Sequence, residues 1–435
     1  MTTTSHTRRV LLQTLPISLG LFGNVALQAI DMMMLGPLGE SILAAAGVCS
    51  NILNIVILFS LGIAHAMSPM ISHSLATDPG HARHIYYQSL KGGFVISCFV
   101  CIVYGMIIWF LPSLVHPNLL EPARLYLIMA APGIIPSALT QIARSALDAC
   151  NKSQLSTNIL YGGIVCNIVL NWLFIYGFGP IPAMGISGAA LATTIARIFM
   201  MLASLYYAHK HLPLSRAVTS WKPLIKNSSV VTLQIICEAG AFHLCSIIAG
   251  KLGEIDAAAH QIALNLATLT FTMPLGYSHA QSIFFASIRE KYTHLELLNT
   301  AWKFLRIALV FGLCTACLFT FLGSYLASWY TQSEVVINLC GQLLLWTALM
   351  QLGDAIQATT TGILRGLNDM NIPTAINVFS WWIVALPLGT YLCFQGGWKT
   401  HGLWMALVCG VFINAVCMIS RLRYLLKKPL SMSPV

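Results

Sequence analysis

The chain has 435 residues, of which 57% are hydrophobic and only 8% are charged. An average soluble domain carries about 25% charged residues, so this composition excludes an ordinary soluble fold and predicts a polytopic membrane protein. The net charge of +10 does not indicate a nucleic-acid partner, because the basic residues are distributed by membrane side.

Twelve apolar segments are long enough to cross a bilayer, which takes about 20 mostly apolar residues. In chain order the predicted spans are 13–35, 43–66, 92–111, 124–147, 158–178, 185–208, 228–250, 258–284, 304–330, 338–364, 372–394 and 403–423. The first follows the polar segment MTTTSHTRRV. Because it lacks a small-residue cleavage site, we expect a spanning helix and not a signal peptide.

The lysines and arginines are divided unequally between the two sides of these spans. One side holds nineteen and the other three, with Arg197 left inside the sixth span. By the positive-inside rule the richer side is cytoplasmic, so both termini are predicted to lie in the cytoplasm. Two cytoplasmic termini require an even number of spans, and twelve meets that requirement.

The sequence also contains an internal repeat. LGESILAAAGVCSN aligns without gaps with LGEIDAAAHQIALN at an offset of 214 positions, and a later pair aligns near an offset of 217. Three pairs of segments match in the same order, namely 38–51 with 252–265, 62–68 with 276–282, and 147–157 with 364–374. Shared glycine and polar positions distinguish this repeat from a general likeness between apolar helices.

Each repeat holds an even number of predicted spans, so both repeats enter the membrane in the same direction. We therefore predict an all-α integral membrane protein of 12 transmembrane helices in two six-helix lobes, related by a pseudo-twofold axis along the membrane normal. The N-terminal lobe would be 1–210, the cytoplasmic linker 211–227 and the C-terminal lobe 228–435. Two lobes that face one another across a cleft suit alternating access.

Three acidic residues remain inside predicted spans, and each is a candidate functional residue. Asp31 ends the stretch NVALQAID, in which Asn24, Gln28 and Asp31 share one helix face. Glu238 lies in the seventh span and Asp354 in the tenth. A charged residue at the bilayer centre costs about 2.5–3.5 kcal/mol on insertion scales, so a functional role is the first hypothesis. A buried structural network of polar side chains is the alternative.

Further amide side chains recur at helical spacing in the same spans and in two others. Those that we predict to line an aqueous cavity with the acids are Asn167 and Asn171 in the fifth span, Gln234 in the seventh, Gln261 and Asn265 in the eighth, and Gln351 in the tenth. A carboxyl group in such a cavity exchanges a proton or holds a cation with oxygen ligands, because poor solvation disfavours its isolated charge. The same carboxyl groups attract organic cations, so the pattern favours antiport.

The chain resembles the multidrug and toxic compound extrusion (MATE) family in its NorM-like bacterial branch. The motifs that carry the resemblance are QAIDMMMLGPLG, GKLGEIDAAAHQIALNL, NIVLNWLFIYGFGPIPAMGISGAALATTIAR and GDAIQATTTGILRGLNDM. It implies two helical bundles that export cationic amphiphilic drugs in exchange for Na⁺ or H⁺. Asp31 matches the acid of the first span, and Glu238 and Asp354 match an acidic pair linked to cation binding. Met350 stands where sodium-coupled relatives often have tyrosine, and a thioether is a poor ligand for Na⁺, so proton coupling stays open.

The resemblance implies a multi-pass protein of the bacterial inner membrane that uses no cofactor besides the coupling ion. We expect a monomer in the lipid bilayer, with no nucleic-acid partner and no enzymatic activity. Two alternatives are a flippase for lipid-linked oligosaccharides, which needs a basic cavity, and an intramembrane serine protease. The second would use the GISG segment 185–188, where glycine and serine also serve as helix turn and cap.

Overall fold

The computed structural model describes residues 3–38, 40–114, 117–213 and 220–427. This part of the chain is helical except for short connections and one isolated bridge between Phe178 and Ile181. The helices are α1 (Thr3–Leu35), α2 (Glu40–Thr77), α3 (Pro79–Leu114), α4 (Pro117–Ala130), α5 (Ile134–Ala149), α6 (Ser153–Tyr176), α7 (Gly185–His211), α8 (Lys222–Gly250), α9 (Glu254–Ile288), α10 (His294–Ser328), α11 (Glu334–Gly366), α12 (Asn371–Val378), α13 (Leu386–Phe394) and α14 (Lys399–Lys427).

Two of the membrane crossings are each built from two helices. A 3₁₀ turn, Ala131–Gly133, joins α4 to α5, and a π-helical stretch, Phe379–Ala385, joins α12 to α13. Counted this way, the described residues form twelve long helical rods, ten of which are long and apolar enough to span a membrane by length and composition. The predicted fold class, an all-α polytopic membrane protein, is confirmed.

Large apolar side chains on the outside of these helices support the same conclusion. Trp109 and Phe321 are each 81% exposed, which would be unfavourable in water and is ordinary in lipid. The interior is packed with small and aromatic residues, including the fully buried Trp381 and Trp404. Helix geometry satisfies the backbone polar groups within each crossing, as a bilayer requires.

The chain divides into two compact units, Leu19–Thr232 and a second made of Met1–Ser18 with Leu233–Val435. We call them the first unit and the second unit. Their boundaries fall inside α1 and α8. The reason is that the start of α1 packs within the second unit, where the Ser18 hydroxyl donates to the carbonyl oxygen of Met273 at 3.3 Å.

Two glycines allow these helix starts to pack closely. A side chain at Gly276 would overlap Ser18, and one at Gly62 would overlap Thr232. Gly62 and Gly276, like Ser18 and Thr232, are separated by the 214-residue repeat offset. The same contact is therefore made once in each unit by repeat-related residues.

The ends of α5 and α11 show the repeat again. Asn151 and Asn368 adopt positive φ angles of 59° and 65°, and each follows the last turn of its helix. The residue after each asparagine donates its backbone N–H to a carbonyl oxygen five positions earlier. These bonds join Lys152 to Leu147 at 2.8 Å and Asp369 to Leu364 at 2.9 Å. Such bonds are typical of a helix C-terminus that ends with one residue in the left-handed conformation, which asparagine adopts more readily than most residues. The third repeat segment thus corresponds to a shared helix-ending structure.

Candidate functional site

The carboxylate of Asp31 is the centre of a polar cluster inside the first unit. Asp31 is on α1 and is only 5% exposed. Asn171 on α6 donates its side-chain N–H to Oδ1 of Asp31 at 2.6 Å, and the Thr193 hydroxyl on α7 donates to Oδ2 at 3.0 Å. Both carboxylate oxygens are therefore bound by neutral groups from two other helices.

Side-chain contacts of Asn167 hold Asn171 and Thr193 in this arrangement. Asn167 and Asn171 are one turn apart on α6, and Nδ2 of Asn171 also lies 3.1 Å from Oδ1 of Asn167. Asn167 in turn donates to the Thr193 hydroxyl at 3.2 Å. Within the described residues the side-chain oxygen of Asn171 is buried and has no hydrogen-bond partner. This oxygen is a free acceptor next to the Asp31 carboxylate.

Arg197 is the basic residue of the same region. It lies one helical turn after Thr193 on α7, and its guanidinium is within electrostatic range of Asp31, Tyr104 and Tyr126. The bend at Gly133 leaves space for its side chain, since an added Cβ there would come within 3.3 Å of the Arg197 Cδ. Arg197 thus places a positive charge near Asp31, whereas the two hydrogen bonds to the carboxylate come from Asn171 and Thr193.

Glu238 is the first acid of a second cluster, which lies in the second unit. It is on α8 and accepts a hydrogen bond from the side-chain N–H of Asn377 on α12 at 3.2 Å. The Asn377 oxygen accepts from Asn414 on α14 at 2.7 Å and from the Trp381 indole N–H at 2.9 Å. Asn377 is consequently held by two donors in the orientation that presents its own N–H to Glu238.

Asp354 and Arg365, both on α11, are the other charged members of this cluster. Asp354 is 6% exposed and Arg365 is 7% exposed. The Glu238 carboxyl lies within electrostatic range of both, so that it repels Asp354 when both are ionised and attracts Arg365. Gln357 on the same helix also hydrogen-bonds Glu238. Glu238 thus has a guanidinium as counter-charge, and Asp354 has Glu238 as a negative neighbour.

The other predicted site residues have different environments. Gln234 and Gln351 are buried, and both side-chain polar atoms of Gln351 lack a partner within the described residues. Gln261 and Asn265 lie on an exposed face of α9, and Asn24 is half-buried on α1. The placement of the Gln28 side chain lies outside the described residues. The polar stripe of the first span is therefore seen at Asn24 and Asp31.

Several residues of the two clusters were not singled out by sequence reasoning. They are Thr193, Gln357, Asn377 and Asn414, together with Arg365, which was counted among the nineteen basic residues of the cytoplasmic side. Thr193 is followed one helical turn later by Arg197, and Asn377 is followed one turn later by Trp381. This spacing of polar and aromatic residues is the signal that was available. Asn414 is an isolated polar residue among apolar ones and gave no such signal.

The serine of the protease motif lies at the start of α7. The Ser187 hydroxyl donates to the carbonyl oxygen of Met184 at 2.7 Å, within the first turn of α7. The thirteen cysteines are free. Among the residues that the structure describes, no group of three or more His, Cys, Asp or Glu is placed to hold a metal ion. Met350 is 2% exposed and packs in an apolar cluster, so it contributes to the core.

Ten helices long and apolar enough to span a membrane, with carboxyl groups buried in both units, define the described part of the chain as a multi-pass membrane protein. Residues 16–173 and 231–391 match the MatE family model. The chain belongs to the MatE family, which is a family of transporters.

Relatives and solved structures agree with this assignment. The chain is 26% identical over 449 aligned residues to the "Probable multidrug resistance protein NorM" of Agrobacterium fabrum, covering 98% of this chain and 95% of the relative. It is similar to a crystal structure of a MATE protein in the bent conformation, with a TM-score of 0.88, 16% identity and coverage of 97% and 96% of the two chains. It is also similar to a MOP superfamily transporter from Pyrococcus furiosus Vc1, with a TM-score of 0.87, 18% identity and coverage of 98% and 97%. For that archaeal protein, a reverse polarity of the binding pocket suggests a different function.

Proposed function

We propose that this protein is a secondary active antiporter that exports cationic amphiphilic drugs in exchange for Na⁺ or H⁺ by alternating access. The observation that carries the proposal is the Asp31 carboxylate, buried within the membrane-spanning part and bound by Asn171 and Thr193. A charged side chain inside a membrane is costly, so an acidic residue at such a position is expected to have a function. The relative named as a multidrug resistance protein supports the substrate class.

The Asp31 cluster offers the chemistry that a coupling ion needs. Carboxylate and amide oxygens are ligands for hard cations such as Na⁺, and Asn171 has an uncommitted side-chain oxygen beside Asp31. A proton on Asp31 would remove its charge and weaken the two bonds that it accepts. Either ion therefore changes how Asp31 holds α6 and α7, which links ion binding to helix packing in the first unit.

The charge balance of the second unit favours its acidic pair as the coupling-ion site. Glu238 and Asp354 together carry two negative charges when ionised, and Arg365 supplies one positive charge. One further positive charge, from a proton or Na⁺, would neutralise the cluster. In the first unit Asp31 already has Arg197 nearby. We therefore assign ion coupling to Glu238 and Asp354, and assign to Asp31 the switch between drug-holding and drug-releasing states.

A flippase for lipid-linked oligosaccharides is a second candidate, and a specific observation favours it. The sequence predicted Arg197 as the one clear basic residue in the middle of a span, but the structure also buries Arg144 and Arg365, which are 8% and 7% exposed. A phosphate-bearing substrate needs such positive charges. Arg144 donates to Ser156 and lies near Asp148, and Arg365 lies near Glu238. Since both arginines have acidic neighbours, they balance internal charges, and the export of cations remains the better-supported function.

The cellular setting is part of the same proposal. We place the protein in the bacterial inner membrane as a monomer, with 1–210 and 228–435 as lobes, 211–227 as linker and both termini in the cytoplasm. The related NorM protein comes from a bacterium, and the basic loops supply the orientation.

Transport by the purified protein in sealed vesicles tests the function. The protein would be reconstituted with ethidium, and either a Na⁺ gradient or a pH gradient would be imposed in separate experiments. We expect one gradient to drive ethidium movement and the other to have little effect. Movement of a fluorescent lipid-linked sugar, with no movement of ethidium under either gradient, would favour the flippase.

A further inference from the structure

Two helices of the first unit approach one another at one end through a basic and aromatic cluster. Arg83 and Tyr87 are near the start of α3, and His209 is near the end of α7. The Arg83 Nη2 lies 2.9 Å and 2.6 Å from the two ring nitrogens of His209, and the Tyr87 hydroxyl lies 2.8 Å from Nδ1. We call these three residues the α3–α7 clamp.

The clamp carries positive charge without an acidic partner on its own helices. Arg83 is 8% exposed, and the partners of its guanidinium are an imidazole and a phenol. Neither α3 nor α7 contains an aspartate or glutamate. The nearest acid before α3, Asp78, is paired with His81 at 2.7 Å. A guanidinium has five N–H donors in a planar fork, so it retains donors for an anion.

Exposed apolar side chains continue from the clamp along both helices. Two turns beyond the clamp, Phe94 on α3 is 49% exposed and Leu202 on α7 is 59% exposed. Both lie seven positions from a clamp residue, on the same helix faces as Tyr87 and His209. Helix α5 packs against both α3 and α7, and we call the surface from Phe94 to Leu202 the groove. One end of the groove is thus basic and the rest is apolar.

We propose that the α3–α7 clamp and groove bind an anionic phospholipid, whose phosphate contacts Arg83 and His209 and whose acyl chains lie along Phe94 and Leu202. The charge of the clamp complements a phosphate group, and arginine binds phosphate oxygens in bidentate geometry. Lys91 and Lys210 are both exposed and add positive charge on the same two helices. The clamp lies at the ends of α3 and α7 that the basic residues mark as cytoplasmic, where anionic lipids attract such clusters.

The chain supplies a matched control arginine. Arg421 stacks on Tyr424 at 5.5 Å, much as Arg83 stacks on Tyr87 at 5.7 Å. Unlike Arg83, Arg421 has an acidic partner, Asp369, at 2.6 Å. Removing Arg421 therefore removes the same charge and the same stacking from a site that is already neutralised.

Lipid binding to the full-length, delipidated protein in detergent tests the proposal by native mass spectrometry. The probes are phosphatidylglycerol, phosphatidylcholine with the same acyl chains, and inorganic phosphate. We expect phosphatidylglycerol to bind wild type about tenfold more tightly than phosphatidylcholine, Arg83→Gln to lose about that factor, and Arg421→Gln to keep it. If Arg83→Gln does not yield folded protein, His209→Gln should show a loss in the same direction.

Three results would overturn the proposal. The first is equal phosphatidylglycerol binding by wild type and the folded clamp variant. The second is an equal loss in Arg421→Gln, which would show a general effect of net charge. The third is competition by inorganic phosphate at the concentrations at which phosphatidylglycerol binds, which would identify a site for a soluble anion.

Discussion

The side-chain N–H of Asn171 donates to the Asp31 carboxylate across 2.6 Å, joining α6 to α1 through residues that are 140 positions apart. Thr193 adds a third helix to the same carboxylate at 3.0 Å. A change in the charge of Asp31 therefore acts on three helices together. In the proposed function, this is how ion binding would alter the packing of the first unit.

Replacing Thr193 by valine should weaken ion-driven export by about tenfold. Valine keeps the volume of threonine but removes the hydroxyl donor, and a hydrogen bond to a charged group is worth about 1.5–3 kcal/mol. Thr194→Val is the control, because the Thr194 hydroxyl donates to the Met129 carbonyl oxygen at 3.0 Å and not to Asp31. Ethidium transport in vesicles measures the effect. Equal loss in both variants would show that the Asp31 bond has no special role.

Replacing Arg365 by glutamine should destabilise the second unit by about 3 kcal/mol, because Glu238 would lose its counter-charge. Removing one acid as well, in Glu238→Gln with Arg365→Gln, should restore part of this stability, because contacting residues are not additive. The thermal midpoint of the purified protein measures both. If the double variant loses as much stability as Arg365→Gln and Glu238→Gln lose separately when added together, these groups do not interact.

Replacing Gly276 by alanine should destabilise the protein by about 1–3 kcal/mol. The new Cβ would overlap Ser18, including its backbone nitrogen, and overpacking of this kind outweighs the helix propensity that alanine adds. Gly92→Ala is the control, because nothing lies within 4 Å of a Cβ there. It should leave the thermal midpoint unchanged or higher. A stable Gly276→Ala protein would mean that α1 does not pack closely on α9.

Reporter fusions test the predicted topology, which rests on nineteen basic residues against three. Reporters placed after Lys428 and within 209–227 should indicate the cytoplasm, and those within 112–123 should indicate the outside. Wild-type export provides the control for correct insertion of each fusion. A C-terminal reporter on the outside would be incompatible with twelve spans and a cytoplasmic N-terminus.

The sequence was sufficient for the fold because hydropathy and charge act locally. Apolar stretches of spanning length, the repeat at an offset of 214 and the acids inside spans are each visible in a short window. The crossing from α12 to α13 was predicted as one span, 372–394, and Pro387, which follows its π-helical stretch and has no backbone N–H to donate, was the available signal of the irregularity.

The partners of the acids were harder to predict, since they depend on packing between distant segments. Asn377 reaches Glu238 across 139 positions, and Asn414 reaches Asn377 across 37. A lone asparagine in an apolar helix gives no indication of which helix it faces. Arg365 directly follows the predicted span 338–364 and was counted with the cytoplasmic basic residues, yet its side chain is buried. Local patterns therefore identified the costly charges, and tertiary structure was needed to identify what stabilises them.

The most direct test of the account is gradient-driven ethidium export by Asp31→Asn in vesicles, measured from about pH 6 to about pH 8. Asparagine keeps the shape and polarity of aspartate but cannot titrate or carry charge. Asp256→Asn is the matched control, because Asp256 is also buried and bonded to a threonine, Thr400, at 2.7 Å. We expect Asp31→Asn to insert normally, retain some drug binding and lose gradient-driven export, while Asp256→Asn exports as wild type does. Export by Asp31→Asn at the wild-type rate across this range would contradict the account and leave the cluster as a structural contact between helices.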